Sequence, residues 1–281
     1  MLKLIVHADD FGLSEQINAG ILQAHLRGIL TSTSLMANGA AFDHAMSICQ
    51  SVPTLDVGIH LTLVEEQPIL DAESVPSLVN EEGSFHRHAT TFTKKYFMGK
   101  ICLRDVRNEL EAQIRKVLSR GVSVSHLDSH QHLHMLPQIL RITIELARQY
   151  GIPAIRLPCE RVRSYMLLGK GTNARLLQLV VLNLFCHLRR HADVRRTDHF
   201  VGFFYGGNLH KQHLHKVLQH LPRTGTCELM CHPGFADPNT RYGHWQYHWS
   251  DELNALLDPA IAAFLQSQGI HLTSYRQLTN L

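Results

Sequence analysis

Short apolar runs that alternate with longer amphipathic stretches constrain this chain more than any single motif. The runs lie near residues 2–8, 30–36, 55–60, 123–128, 154–157, 198–203, 226–231 and 270–273. Helical patterns fill the gaps at 14–27, 40–50, 104–120, 137–150, 172–190, 208–220 and 251–268. Gly28, Gly121 and Gly151 follow helical stretches, where glycine ends a helix at little steric cost, and Pro137 suits a first helical turn. Alternation of this kind predicts βα units around a parallel sheet, either a barrel or a doubly wound open sheet. The polar residues decide between them. Asp9 and Asp10, His60, the stretch from His126 to His134, Arg156 and His232 each fall at or just beyond the C-terminal end of a different predicted strand. Side chains from that many strand ends meet at the mouth of a closed barrel, whereas an open sheet unites only the strands beside its switch point. The expectation is an α/β protein: one irregular (β/α) barrel of about seven strands over residues 1–281. Its longest irregular stretch, 64–103, is expected to be a lid or insertion over the site.

The 281 residues, 44% hydrophobic and 18% charged, suit a soluble globular protein with a full core. A net charge of +3 is small and scattered, with Arg189-Arg190 and Arg195-Arg196 as the notable basic pairs, and this argues against a nucleic-acid partner. The six cysteines form no Cys-x-x-Cys pair, and Cys227 and Cys231 read as buried thiols, so a reducing compartment fits. Residues 2–6 read as a strand and not as an export leader, so a cytoplasmic location is expected. Residues 175–190 form the greasiest helical stretch, too short and too polar-flanked to span a bilayer. Burial against the barrel is its default. Exposed, it would contact the inner face of a membrane or hold an apolar part of a substrate. Oligomeric state leaves no mark on the sequence.

The run His126-Leu127-Asp128-Ser129-His130-Gln131-His132-Leu133-His134 carries five metal- or proton-competent side chains at alternate positions. Ala8-Asp9-Asp10-Phe11-Gly12 offers two adjacent carboxylates. Such groups are costly to bury unless they bind a metal or are hydrogen-bonded. Strand geometry points His126, Asp128 and His130 to one face, and a turn before Pro137 should take His132 and His134 off that face as loop residues. A solvated edge strand would carry Lys, Thr and Glu there instead. Asp9-Asp10 reads equally as a cap for the helix starting near Ser14. As extended neighbours the two carboxylates would point to opposite sides, one as a ligand and the other as a base. His60, in Gly58-Ile59-His60-Leu61-Thr62-Leu63, and His232, in Met230-Cys231-His232-Pro233-Gly234, stand at strand ends, and Pro233 favours extended backbone at His232. Alone, His60 reads more often as a structural residue, and His232 equally as a turn histidine. Taken together, these groups point to a metal-dependent enzyme.

The same motifs, with Gly28-Ile29-Leu30-Thr31-Ser32, Asn38-Gly39 and the closing Ser274-Tyr275-Arg276, resemble the YdjC/ChbG family of carbohydrate deacetylases, in the family's order and over nearly the whole chain. Val57-Gly58-Ile59-His60-Leu61-Thr62-Leu63-Val64 with Pro68-Ile69-Leu70 is most similar to the hopanoid-biosynthesis-associated HpnK branch. The resemblance implies a barrel similar to that of NodB-type polysaccharide deacetylases, with an Asp-His-His site for one divalent metal ion. Asp10, His60 and His130 would be the ligands, Asp9 the base and His232 the general acid. Asp128, with His126 beside it, would support a ligating histidine, and Arg156 would brace Asp9 or hydrogen-bond the substrate. Zinc, nickel, cobalt or manganese suits such donors, while relatives are often described with magnesium. The implied substrate is an acetylated amino sugar, either a chitooligosaccharide or an N-acetylglucosaminyl lipid such as a hopanoid, which would release acetate. Gln131 stands where several relatives have histidine and receives no catalytic role. Two other readings remain. A metal-dependent phosphoesterase on a similar barrel would draw extra ligands from His126, Asp128, His132 and His134. A non-catalytic sugar-binding protein would need neither Asp9 nor His232.

Overall fold

The computed structural model describes residues 1–167, 173–188, 194–238 and 240–279. The predicted apolar runs become parallel strands of one sheet: β1 (Leu2–Phe11), β2 (Ser32–Leu35), β3 (Asp56–Leu61), β4 (Val124–Ser129), β5 (Ala154–Ile155), β6 (His199–Val201), β7 (Gly225–Cys231) and β8 (His271–Leu272). Their spatial order is β5-β4-β3-β2-β1-β7-β6, and β8 pairs with the start of β1 through Lys3 and Leu4. Single bridges from Ala154 to Arg195 and from Glu160 to Phe200 link the two ends of this path. The sheet is therefore curled into the expected irregular α/β barrel, with its seam held by isolated pairs.

Helices fill the connections. In Leu103–Leu118, Val106, Leu110, Ile114 and Val117 recur at helical spacing and are buried, while Arg104, Asn108 and Arg115 face outward. The hydroxyl of Ser14 accepts from the Ile17 N–H at 3.2 Å and starts the helix Glu15–Arg27. The single helix expected over 251–268 is two, Trp249–Leu257 and Pro259–Ser267. Pro259 has no N–H to continue the first helix, and Asp258 caps the second by accepting from Ala260 N–H at 2.8 Å. The stretch 64–103 contains a helix that the sequence did not signal, Ala89–Phe97, and an antiparallel bridge between Val79 and Phe85. The greasy stretch is the helix Asn173–Leu188; Arg189 and Arg190 lie outside the described residues. Among the described residues, no helix is long and apolar enough to cross a membrane.

Strand alternation sorts β1 into two environments. Leu4, Val6 and Ala8 join the large core between sheet and helices, whereas Ile5 packs inside the curl with Ala154 and Tyr275. Next to that small apolar floor the interior is ionic: His7, His126, Asp128, Arg156 and Glu228 all have no solvent exposure. A core of this composition is stable only when each group is paired. Arg156 supplies most of the pairing. It reaches Asp9 at 2.7 Å, Asp128 at 2.8 Å and Glu228 at 2.7 Å.

Candidate metal centre

The site begins with an irregularity in β1. Its register with β2 shifts between Ala8 and Phe11, and Asp10 adopts a positive φ of 66°. In a regular strand Asp9 and Asp10 would face opposite sides, as the sequence suggested; the bulge instead turns both carboxylates into one cavity. Aspartate tolerates this left-handed conformation better than most residues, at a cost of roughly 1 kcal/mol.

Three side chains from three strand ends converge in that cavity. Asp10 Oδ1 lies 2.9 Å from His130 Nδ1 and 3.4 Å from His60 Nε2, and the three potential ligand atoms are within 4.8 Å of one another. Asp10 Oδ2 is buried and has no hydrogen-bond partner. Each imidazole is held from behind by a carboxylate. His60 Nδ1 donates to Asp128 Oδ1 at 2.8 Å, and His130 Nε2 donates to Glu65 Oε2 at 3.0 Å. The Ser34 hydroxyl donates to the other oxygen of Asp128 at 3.0 Å. One carboxylate and two imidazole nitrogens, each imidazole oriented by a carboxylate, form a donor set that fits a divalent cation. Two further groups bring metal-competent atoms close together, His7 with His126 and Asp128, and Asp9 with His60 and Asp128. There the Arg156 guanidinium already neutralises the carboxylates. The unpartnered oxygen of Asp10 singles out the first group.

The charges follow from these contacts. Burial would raise Asp9, but Arg156, His60 and His7 outweigh it and hold its carboxyl well below the usual range. Asp128 and Asp10 are likewise lowered despite burial, chiefly by Arg156 and His60 for Asp128 and by His130 for Asp10. Burial alone would lower the two histidines. Facing Asp128, Asp9 and Asp10, His60 is instead raised to about 10, and His130, facing Asp10 and Glu65, to about 9.

The other predicted residues divide. His232 follows β7 and lines the same cavity; its ring lies 4.8 Å from that of Tyr247, and its buried Nδ1 has no hydrogen-bond partner. Its backbone N–H donates to Glu252. Arg156 braces Asp9 with two N–H bonds of 2.8 and 2.7 Å. His126 is set deeper, stacked on Tyr275 at 3.9 Å, with its nitrogens bonded to His7 and Ser125. It meets the site through His7. His132 and His134 lie in a tight turn after β4 in which Gln131 and His132 have φ of 52° and 55°, and both are buried. His134 turns away to Ser129 and the Arg156 carbonyl, whereas His132 returns to the cavity wall.

Four participants escaped the sequence reading. Glu228 and His7 had a signal, a lone polar residue inside an otherwise apolar strand. Glu65, four residues past the end of β3, had none; Tyr275, in the C-terminal helix Tyr275–Thr279, was signalled only as part of the closing family motif, with nothing to place it at the site, because only the fold brings both in. The cavity has a volume of about 770 Å³ and opens between Trp245, Tyr247, helix Ala89–Phe97 and helix Asn173–Leu188.

Residues 3–267 match the family model described as YdjC-like protein. A carbohydrate deacetylase of Geobacillus stearothermophilus is 34% identical over 278 residues, covering 99% of this chain and 98% of the relative. Another, from Brevibacillus brevis, is 32% identical over 278 residues, covering 99% and 100%. Among solved structures, a candidate cellobiose-phosphate cleavage protein from Enterococcus faecalis V583 superposes with a TM-score of 0.75 at 30% identity, covering 99% of this chain and 98% of its own.

Proposed function

The chain belongs to the YdjC-like family, and from that premise we propose that it is a metal-dependent carbohydrate deacetylase that removes the N-acetyl group of an amino sugar and releases acetate. The observation that carries this reading is the convergence of Asp10, His60 and His130, each imidazole backed by its own carboxylate. A divalent ion bound there would polarise the amide carbonyl and acidify a water molecule. The donors suit Zn2+, Mn2+, Co2+ or Ni2+, and Mg2+ belongs in the same test.

The chain's own groups supply the proton transfers. Asp9 is the base. The two bonds from Arg156 keep it ionised and fix its oxygens at the cavity floor, so it takes a proton from the attacking water without first losing one. The same bonds make it a weak base, which is why it needs a water more acidic than bulk water. His232 is the acid. An amine leaves poorly unless protonated, and His232, just past the strand beside that of Asp9, lines the cavity with its Nδ1 3.9 Å from Glu252 Oε2, which orients the ring. A phosphoesterase with two or three metals fits less well, because Arg156 occupies the places a second ion would need.

The cavity walls favour a lipid-linked amino sugar over a free oligosaccharide. Phe97 and Leu177 line the cavity yet are 62% and 65% exposed, and Val181 and Phe185 continue the apolar surface. Val180 and Leu184, exposed on the same helix, suit contact with a membrane surface. The test is acetate release from chitobiose-type and N-acetylglucosaminyl-lipid substrates by metal-stripped and metal-restored protein. Release only with metal, and faster from the lipid-linked sugar, is expected. Absence of acetate from every N-acetyl sugar overturns the reading. Asp9→Asn should lower kcat by about 100-fold or more while one metal per chain is retained.

A further inference from the structure

Among the buried histidines around the site, His132 and His232 each keep a ring nitrogen without a hydrogen-bond partner among the described residues, and only for His232 does a charged group, Glu252, stand near that nitrogen. His7, His126, His130 and His134 have hydrogen-bond partners on both ring nitrogens, and His60 has them on Nδ1 with Asp10 3.4 Å from its Nε2. His132 is 8% exposed and lines the cavity, and its buried Nδ1 has no partner among the described residues. Its ring does not lack support: it meets Phe200 edge-on at 6.1 Å and Phe203 at 5.5 Å. The backbone also works to place it there. Two consecutive non-glycine residues, Gln131 and His132, are left-handed, a conformation that persists only where the surroundings enforce it. This turn exposes Gln131 and returns His132 to the wall that holds His130.

From this geometry we infer that His132 is a substrate-binding residue, which hydrogen-bonds a hydroxyl group of the sugar whose acetamide lies at Asp10, His60 and His130. The inference rests on the deacetylase reading for the identity of the ligand, and on His132 itself for the contact. An imidazole offers one donor and one acceptor, and a sugar hydroxyl is both, so a hydroxyl of an uncharged polyol can satisfy the ring whichever tautomer is present. His132 is two positions from His130 and lines the same cavity, so the hydroxyl it reads belongs to the sugar residue that carries the acetamide. The rings of Phe200 and Phe203 pack beside the imidazole and fix its orientation in the wall.

The experiment compares wild type with His132→Phe and His132→Asn. Substrates are an N-acetylglucosaminyl series in which single hydroxyls are replaced by hydrogen, with KM and kcat measured together with metal content. His132→Phe should keep one metal per chain and a kcat within about threefold, while KM rises about 10- to 50-fold. One deoxy substrate should cost wild type a similar factor and cost His132→Phe nothing further. His132→Asn, which still donates and accepts, should recover part of the loss. Unchanged KM on every sugar overturns the inference, and so does loss of metal, which would make His132 a ligand. Wild type that releases no acetate overturns the deacetylase reading instead. In that case the same comparison, made on sugar affinity by calorimetry, still decides the role of His132: weaker binding by His132→Phe supports it and equal binding overturns it.

Discussion

Binding of a divalent ion should expel two protons. In the metal-free protein Asp10 Oδ1 lies 2.9 Å from His130 Nδ1 and 3.4 Å from His60 Nε2, distances at which lone pairs would repel unless a proton stood between them. The opposite nitrogens already donate to Glu65 and Asp128. Both rings are therefore imidazolium, raised to about 9 and about 10 by the carboxylates that outweigh their burial. At pH 7.5 each is almost fully protonated, while Asp10, held far below the usual carboxylate range, contributes no proton. A metal ion must displace both ring protons, so its apparent affinity should rise about 100-fold per pH unit between 7 and 8.5 and flatten above about 10. Titration calorimetry in buffers of different ionisation enthalpy reads the count directly, and a slope near two protons per metal is expected. A slope near zero would refute the reasoning, because it would mean that the rings are neutral before the metal arrives. Stability carries the same signature. Because the folded values lie above the ordinary 6.5, these two groups stabilise the metal-free fold fully below pH 6.5. That contribution, on the order of 3 to 5 kcal/mol each, is lost as pH rises through about 9 to 10.

Glu65→Gln removes the charge that orients His130 and should weaken metal binding about 10- to 100-fold with little change in melting temperature, measured by metal titration and thermal unfolding. Arg156→Met leaves Asp9, Asp128 and Glu228 buried without their cation, and should cost on the order of 3 to 5 kcal/mol in urea unfolding; a loss below about 1 kcal/mol would show that the ionic core relaxes freely. Gly58→Ala would set a methyl 2.4 Å from Cε1 of His126, which is clamped between Tyr275 and Ser125, so a loss of about 1 to 3 kcal/mol is expected.

Much of the site was legible in the sequence because strand ends are local. Asp9, Asp10, His60, His130, Arg156 and His232 could each be placed at the tip of an apolar run, and a curled parallel sheet brings such tips together whatever the details of its helices. Alternation along a strand is also local, and it separated Leu4, Val6 and Ala8 from Ile5 and His7. The errors arose where backbone geometry departs from regularity. The bulge at Asp10 put two neighbouring carboxylates on one side, and the left-handed pair at Gln131 and His132 returned to the cavity a side chain that the turn before Pro137 was expected to take away. Pro259 and its cap Asp258 split a continuous apolar pattern into two helices.

By itself, then, the sequence determined the order of strands and helices and the kinds of groups at the mouth of the barrel, because apolar periodicity and turn chemistry act over a few residues. Tertiary structure alone decided which carboxylate meets which imidazole. Glu65 behind His130, Asp128 behind His60, and Arg156 between Asp9 and Glu228 are pairings between residues 65 to 147 positions apart. Their energies depend on burial and on ångström-scale distances, which exist only once the sheet has curled.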